Sequence, residues 1–149
     1  MPLTLRPALA NDKLWVKELQ FAAYRDLVLL QFGVWDPSDQ TARFEEKWVR
    51  REYQIISSDD LPIGALWVSL APDHMFLNEI QLLPDHQGAG VGSRVIGELL
   101  EKAASLGLPV RLRVLLRNRA RSLYERLGFR VHDCTDTHHL MQWSPKARD

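Results

Sequence analysis

Asn78–Leu106 reads NEIQLLPDHQGAGVGSRVIGELLEKAASL, and three local patterns follow one another along it. Ile80–Gln81–Leu82–Leu83 is a short apolar run that Pro84 stops. A polar turn follows, then glycine at every second position: Gly88, Gly90 and Gly92. From there Val91, Val95, Leu99 and Ala103 recur every fourth residue, with Ile96 and Leu100 beside them, so one face of a helix is apolar. Arg94, Glu98, Glu101 and Lys102 take the other face, with Glu98→Lys102 an i,i+4 pair in the favourable order. Gly107 and Pro109 end the helix. The stretch reads as strand, glycine turn and helix.

The turn has a chemical consequence. A helix leaves its first N–H groups unpaired and carries partial positive charge at that end. Glycines just before it let an anion approach bare backbone, since no Cβ intervenes. The spacing excludes two familiar phosphate loops. A dinucleotide G-x-G-x-x-G counted from Gly88 would need glycine where Ser93 stands, and no Gly-Lys-Ser/Thr of a Walker loop is present. What stands there is Gln87-Gly88-Ala89-Gly90-Val91-Gly92, a Q-x-x-G-x-G pattern. It resembles the pyrophosphate loop of the GNAT superfamily of N-acetyltransferases, which hold acetyl-CoA. The alternative is a glycine-rich connection with no ligand.

Length and composition set the outer limits. At 149 residues the chain is read as one domain, 1–149, with room for a real core. Hydrophobic residues make up 46% and charged residues 26%, which is ordinary for a globular chain. The formal net charge is zero, so charge gives no support to a nucleic acid or an anionic membrane as partner. The one cysteine, Cys134, forbids an internal disulfide and suits a reducing compartment. No apolar run approaches the ~20 residues that cross a bilayer, and MPLTLRPALANDK lacks the features of a secretory signal. The expected location is the cytoplasm.

Upstream of the opening stretch, Leu3 and Leu5 alternate with Thr4 and Arg6 in a short edge strand that Pro7 ends. Asn11 or Asp12 can cap a helix to about Leu30, with apolar members Leu14, Leu19, Ala22, Ala23, Leu27 and Leu30, and Val16 and Val28 beside them. Gly33–Ser38 is a loop, and Ser38 or Asp39 caps a second helix to about Arg50, with Phe44 and Trp48 on one side. Trp35 and Asp36 in that loop suit a substrate rim or a plain sheet cover equally. Tyr53–Ser57 and Ile63–Leu70 read as strands around a turn, and Met75–Leu83 as the next strand.

Downstream, Val110, Leu112 and Val114 alternate with Arg111 and Arg113 in a strand. Ala120, Leu123, Tyr124 and Leu127 form a helical face that Gly128 closes. Phe129–Asp133 and His139–Trp143 form a last strand pair, and the tail from Ser144 to Asp149 is read as frayed.

Arg119-Ala120-Arg121-Ser122-Leu123-Tyr124-Glu125-Arg126-Leu127-Gly128-Phe129 resembles the other GNAT signature, a helix with A-x-x-x-Y that ends in Gly-Phe. The two signatures stand in the family's order, and the resemblance is strong over residues 75–130. It implies an α/β (α+β) three-layer fold: a mixed, mostly antiparallel sheet of six to seven strands with a central splay, flanked by about four helices. It further implies that backbone groups of Leu82 and Leu83 pair with the pantetheine arm as a pseudo-strand. Gln87, Gly88, Ala89, Gly90, Val91, Gly92 and Ser93 would hold the pyrophosphate. Asn118 would touch the arm, and Tyr124 would face the thioester sulfur. The family's asparagine often stands three residues before the alanine, where this chain has Arg117; Asn118 also suits a helix cap.

Seven arginines against one acid lie between Arg111 and Arg130. They suit a solvated face or steering of CoA phosphates; RNA would call for interleaved exposed aromatics, which are missing. The five histidines show no metal-ligand spacing, and adjacent His138 and His139 point to opposite faces of a strand, so no metal is expected.

Acetyl transfer needs a neutral nucleophile. An amine of pKa ~10.4 is neutral about once in 10³ molecules at pH 7, a deficit of roughly 4–5 kcal/mol. A positioned carboxylate is the usual remedy. Glu79 is the nearest acid in sequence, though its side chain alternates away from Asn78, Ile80 and Leu82; Asp36 or a water relay stays open. Tyr124 is the candidate acid for the leaving thiolate, and the backbone N–H near Leu82 a candidate oxyanion donor. The resulting expectation is an acetyl-CoA-dependent N-acetyltransferase acting on a small-molecule or peptide amine by direct attack on the thioester, with a homodimer left open. The competing class is a non-catalytic acyl-CoA-binding module.

Overall fold

The computed structural model describes residues 2–50, 52–88 and 90–146. Along them run β1 (Leu3–Pro7), α1 (Lys13–Phe32), α2 (Pro37–Trp48), β2 (Tyr53–Ser58), β3 (Leu61–Leu70), β4 (Met75–Leu82), α3 (Val91–Leu106), β5 (Val110–Leu115), α4 (Ala120–Arg126), β6 (Arg130–Cys134) and β7 (His138–Trp143). The strands form one mixed sheet of seven in the order β1-β2-β3-β4-β5-β7-β6, flanked by the four helices. β4 and β5 are parallel and pair only over Met75–Leu77 with Val110–Leu112, although β4 continues to Leu82 and β5 to Leu115. The expected parting of the central strands is therefore present. The chain divides into two compact units. One comprises residues up to Trp67 together with Glu79–Gln87; the other comprises Val68–Asn78 and the residues from Gly88 onward.

The first unit is built on β1, β2 and the first part of β3, paired antiparallel. Asp59 and Asp60 make the β2–β3 turn with positive φ at both, 51° and 66°, the two-residue geometry that matches the twist of a hairpin. That tight turn extends β2 to Ser58 and starts β3 at Leu61, two residues before the strand start expected at Ile63. Pro62 lies inside β3, beside a bulge between Ile56 and Ser57. The core gathers Val16, Leu19, Phe44, Trp48, Tyr53, Ile55, Ala65 and Trp67. Phe44, Trp48, Tyr53 and Trp67 follow one another ring to ring, with centroids 5.8, 5.9 and 5.4 Å apart.

Three sequence expectations change here. Helix α1 buries Val16, Leu19 and Gln20, while Leu14 and Leu30 are exposed, so its inner line passes beside the one read from its leucines. Asp12 starts α1 without capping it by its side chain; its carboxylate instead accepts from the Leu9 N–H at 2.7 Å and pairs with Arg6 at 2.8 Å. Asp36, rather than Ser38 or Asp39, caps α2, accepting from the N–H groups of Ser38 at 2.9 Å and Asp39 at 3.3 Å. The residue before a proline favours extended backbone, which an N-cap needs, and Pro37 then opens the helix. Trp35, in the loop before α2, is half-buried, edge-on to Phe21 at 5.2 Å.

In the second unit β5 alternates as expected, with Val110, Leu112 and Val114 buried. Its outer Arg111 bonds the side chain of its cross-strand partner Gln142 at 2.9 Å. Phe129 precedes β6 and is fully buried. Of the tail read as frayed, residues 147–149 lie outside the described residues.

One glycine is fixed by space. A Cβ on Gly64 would stand 2.4 Å from the backbone oxygen of Gln81 and 2.7 Å from Leu82 Cδ2. Gly64→Ala must push β3 from β4, and overpacking of this kind costs about 1–3 kcal/mol. A Cβ on Gly97, in α3, meets nothing within 4 Å. Thermal melting should show Gly64→Ala lowered by several °C and Gly97→Ala unchanged or raised, since alanine is favoured in a helix interior by about 0.5–1 kcal/mol.

Candidate functional site

Strand alternation places Met75, Leu77, Glu79 and Gln81 on the buried side of β4. Two of those four are polar. Glu79 is 9% exposed and is therefore not a surface or rim carboxylate. A buried carboxylate is tolerated only when donors replace its water, and three side chains do so. On Oε2 it accepts from the Tyr53 hydroxyl and from Gln20 Nε2, the latter at 2.9 Å. On Oε1 it accepts from Lys47 Nζ at 2.6 Å. Gln20 also donates to the Tyr53 oxygen at 2.8 Å, closing a triangle. Burial, and then the charge of Glu79, hold the Tyr53 hydroxyl protonated far above the ordinary tyrosine range.

Each donor comes from a different element. Gln20 lies on the inner line of α1, Lys47 in the last turn of α2, and Tyr53 opens β2. On α1, Tyr24 follows Gln20 by one helical turn, about 6 Å, and on β4 Gln81 follows Glu79 by one strand period, about 6–7 Å. The two spacings match, so Gln20 meets Glu79 while the Tyr24 hydroxyl faces Gln81. Burial and the Glu79 charge push the Tyr24 hydroxyl up to about 12.

Gln81 is 3% exposed, and neither of its amide atoms has a hydrogen-bond partner among the described residues. The Tyr24 hydroxyl stands against that amide as a weak hydrogen-bond partner, outside strict hydrogen-bond geometry. A buried polar group left unpaired costs about 1–3 kcal/mol. The inner face of β4 thus carries a fully served carboxylate and, next to it, an unserved amide.

The other expected acid, Asp36, is engaged in capping α2. Of the residues expected to hold the cofactor, Leu82, Leu83 and Gln87 belong to the first unit. Gln87 Nε2 donates to the Leu82 carbonyl at 3.0 Å, the Leu83 N–H donates to Ile63 at 2.8 Å, and the Leu83 carbonyl accepts from His86 at 2.9 Å. Gln87 therefore braces the end of β4 through its side chain.

Gly88, Gly90, Val91, Gly92, Ser93, Asn118 and Tyr124 belong to the second unit, and Ala89 lies outside the described residues. Gly88 and Gly90 have φ of +76° and +80°, and a Cβ on either would meet nothing within 4 Å. Conformation, not crowding within the protein, requires glycine there. Gly90 is the N-cap of α3, and no side chain caps the helix. With glycine in the cap position, no side-chain oxygen occupies the start of the helix ahead of Val91, Gly92 and Ser93. Asn118 Oδ1 accepts from the Ala120 N–H at 2.9 Å, so its side chain braces the turn into α4, while Arg119 rather than Asn118 takes the N-cap position. Tyr124 is buried on α4, edge-on to Phe129 at 5.7 Å. No cluster of three or more metal-ligating side chains occurs among the described residues. None of their helices is long and apolar enough to cross a membrane.

Sequence reasoning singled out Glu79 but missed Gln20, Lys47, Tyr53, Tyr24 and Gln81. One signal was available: Gln81 interrupts an apolar strand, and a polar residue at a core register needs a partner.

Comparison with known proteins agrees with this architecture. The Acetyltransferase (GNAT) family matches over residues 21–129. A search of curated proteins finds no match. Among solved structures, the chain is similar to the PaiA N-acetyltransferase of Thermoplasma acidophilum in complex with coenzyme A, with TM-score 0.76 and 18% identity over 97% of this chain and 99% of that one. It is similar to an acetyltransferase of Thermus thermophilus, with TM-score 0.76 and 17% identity over 97% of each chain. It is also similar to the ribosomal-protein-S18-alanine N-acetyltransferase of Escherichia coli, with TM-score 0.70 and 18% identity over 99% and 97%. At these identities the likeness speaks for the fold. The family match covers well over half of the sequence, and with it the chain belongs to the GNAT family of acetyltransferases.

Proposed function

We propose that the chain is an acetyl-CoA-dependent N-acetyltransferase whose acceptor is a primary amine, with Glu79 as the base and Tyr124 as the acid. The observation that carries this reading is Glu79 itself, a buried carboxylate that already holds an alkylammonium, that of Lys47. Acetyl-CoA, when bound, supplies an activated acetyl thioester. Gly88–Ser93 would hold its pyrophosphate through backbone N–H groups, an assignment supported by the two left-handed glycines and the uncapped start of α3. Leu82, Leu83 and Asn118 remain the expected contacts of the pantetheine arm, and Gln87 stays with the pyrophosphate loop.

The chain's own groups then manage two protons. Glu79 Oε1 takes the proton of the acceptor ammonium, leaving a neutral amine to attack the carbonyl carbon. A C–N bond forms, the C–S bond breaks, and the now cationic nitrogen releases its remaining excess proton to water to give the neutral amide, as Glu79 later does with the proton it holds. Tyr124 gives its hydroxyl proton to the departing thiolate and is afterwards reprotonated from solvent. Glu79 can act at Oε1 only when the ammonium of Lys47 leaves it. That ion pair is also the observation favouring the second reading, an acyl-CoA-binding module without chemistry, because a base already holding a cation is silenced.

Calorimetry should show acetyl-CoA binding and no binding of NAD(H) or ATP; the reverse pattern would end the reading. Gly90→Val should weaken acetyl-CoA while lowering melting only by the left-handed strain of about 1–2 kcal/mol; matched losses of fold and binding would make the loop purely structural.

With a working acceptor, Tyr124→Phe keeps the ring and its packing, so loss of a general acid should lower kcat about 10²-fold with acetyl-CoA affinity nearly intact. Full kcat would show that the proton comes from elsewhere. Glu79→Gln should lower kcat about 10²–10⁴-fold and shift the rate's rise to higher pH, where the amine is neutral without help. An unaltered pH profile would exclude Glu79 as base.

A further inference from the structure

Lys47 sits on Glu79 in the manner of a substrate. Its Nζ is 2.6 Å from Oε1, yet its side chain is 38% exposed against 9% for Glu79. It can turn outward to water while Tyr53 and Gln20 keep the carboxylate in place through Oε2. What it leaves at Oε1 is a seat for one ammonium on an aliphatic stem.

Two residues along the same face of β4, Gln81 holds an unmet demand of a different kind. The residue is 3% exposed, and among the described residues neither Nε2 nor Oε1 has a partner in full hydrogen-bond geometry, the Tyr24 hydroxyl making only a weak contact. An amide presents two N–H donors and a carbonyl acceptor. Its complement is a neutral group that both accepts and donates, another amide or a hydroxyl. A second ammonium would satisfy Oε1 only and set like partial charges against Nε2. The strand period spaces the two positions by about 6–7 Å.

We propose that the acceptor is a primary alkylamine carrying a neutral amide or hydroxyl group about 6–7 Å from its nitrogen, whose ammonium replaces that of Lys47 on Glu79 and whose neutral group pairs with Gln81. The inference rests on the N-acetyltransferase reading and deepens it. Lys47 is then a built-in competitor of the acceptor, and Gln81 a specificity-determining residue that discriminates against diamines. The half-buried Tyr24 ring, whose hydroxyl faces Gln81, must turn aside to admit the group. The weak contact that Tyr24 makes with the amide is then exchanged for full hydrogen bonds to the acceptor.

Three amines of similar length separate the possibilities: δ-aminovaleramide, pentylamine and cadaverine. The wild-type chain should acetylate δ-aminovaleramide with kcat/KM about tenfold above either other amine, the worth of one or two hydrogen bonds in a buried site. Gln81→Leu should abolish that preference, and Lys47→Met should lower the KM for δ-aminovaleramide without changing that for acetyl-CoA. Preference for cadaverine, equal use of all three, or an equal loss for pentylamine in Gln81→Leu would overturn the proposal.

Thermal melting with each amine reads the same seat without chemistry. δ-Aminovaleramide should raise the melting temperature of wild type more than pentylamine does, more again in Lys47→Met, and not in Gln81→Leu. If these shifts appear while no amine is acetylated, the enzyme reading fails and the acceptor seat stands. If transfer occurs but the shifts do not follow Gln81 and Lys47, the seat fails and the enzyme reading stands.

Discussion

A single negative charge set into the interior of the first unit organises what surrounds it. The Glu79 carboxylate has almost no access to solvent, and interior charge is tolerable only where donors stand in for water. That requirement explains why α1 buries a glutamine on its inner line and why β2 opens with tyrosine. It also explains why α2 ends with a lysine turned inward beside Trp48. The elements that supply these donors are far apart in sequence, so the carboxylate ties α1, α2 and β2 to the end of β4 within the first unit in a way that apolar packing alone does not specify.

The two units handle charge by different physical means. Around Glu79, side chains from three elements converge, and each can be lost by one substitution. At the start of α3, the exposed polar groups are those of the main chain, which only a substitution by proline removes. What can be lost there is access, and access depends on Gly88 and Gly90 keeping left-handed backbone.

Most of the architecture was legible in the sequence because it is written locally. The glycine spacing at Gln87–Gly92, the apolar repeat of Val91, Val95 and Ala103, and the alternation at Val110–Val114 each need only their neighbours to be read. Boundaries erred where one local choice had several solutions: Asp36, Ser38 and Asp39 all suit a helix cap, and Pro37 decides among them. The inner line of α1 was misread because its leucines suggested one face while Gln20 is drawn to another by Glu79, 59 residues away. The candidate site was legible only as Glu79, for the same reason: Gln20, Lys47 and Tyr53 acquire their meaning from partners that no local pattern reveals.

The ring sequence of the first unit has an optical consequence. Tyr53, which donates to Glu79, lies between Trp48 at 5.9 Å and Trp67 at 5.4 Å. Trp67 in turn donates its indole N–H to Glu52 at 2.6 Å and lies under the Arg50 guanidinium. Excitation of this tyrosine passes to neighbours whose emission depends on local field and polarity. A change in what occupies the carboxylate therefore reaches two indoles through direct contact, so the chain carries an intrinsic fluorophore wired to its own buried charge.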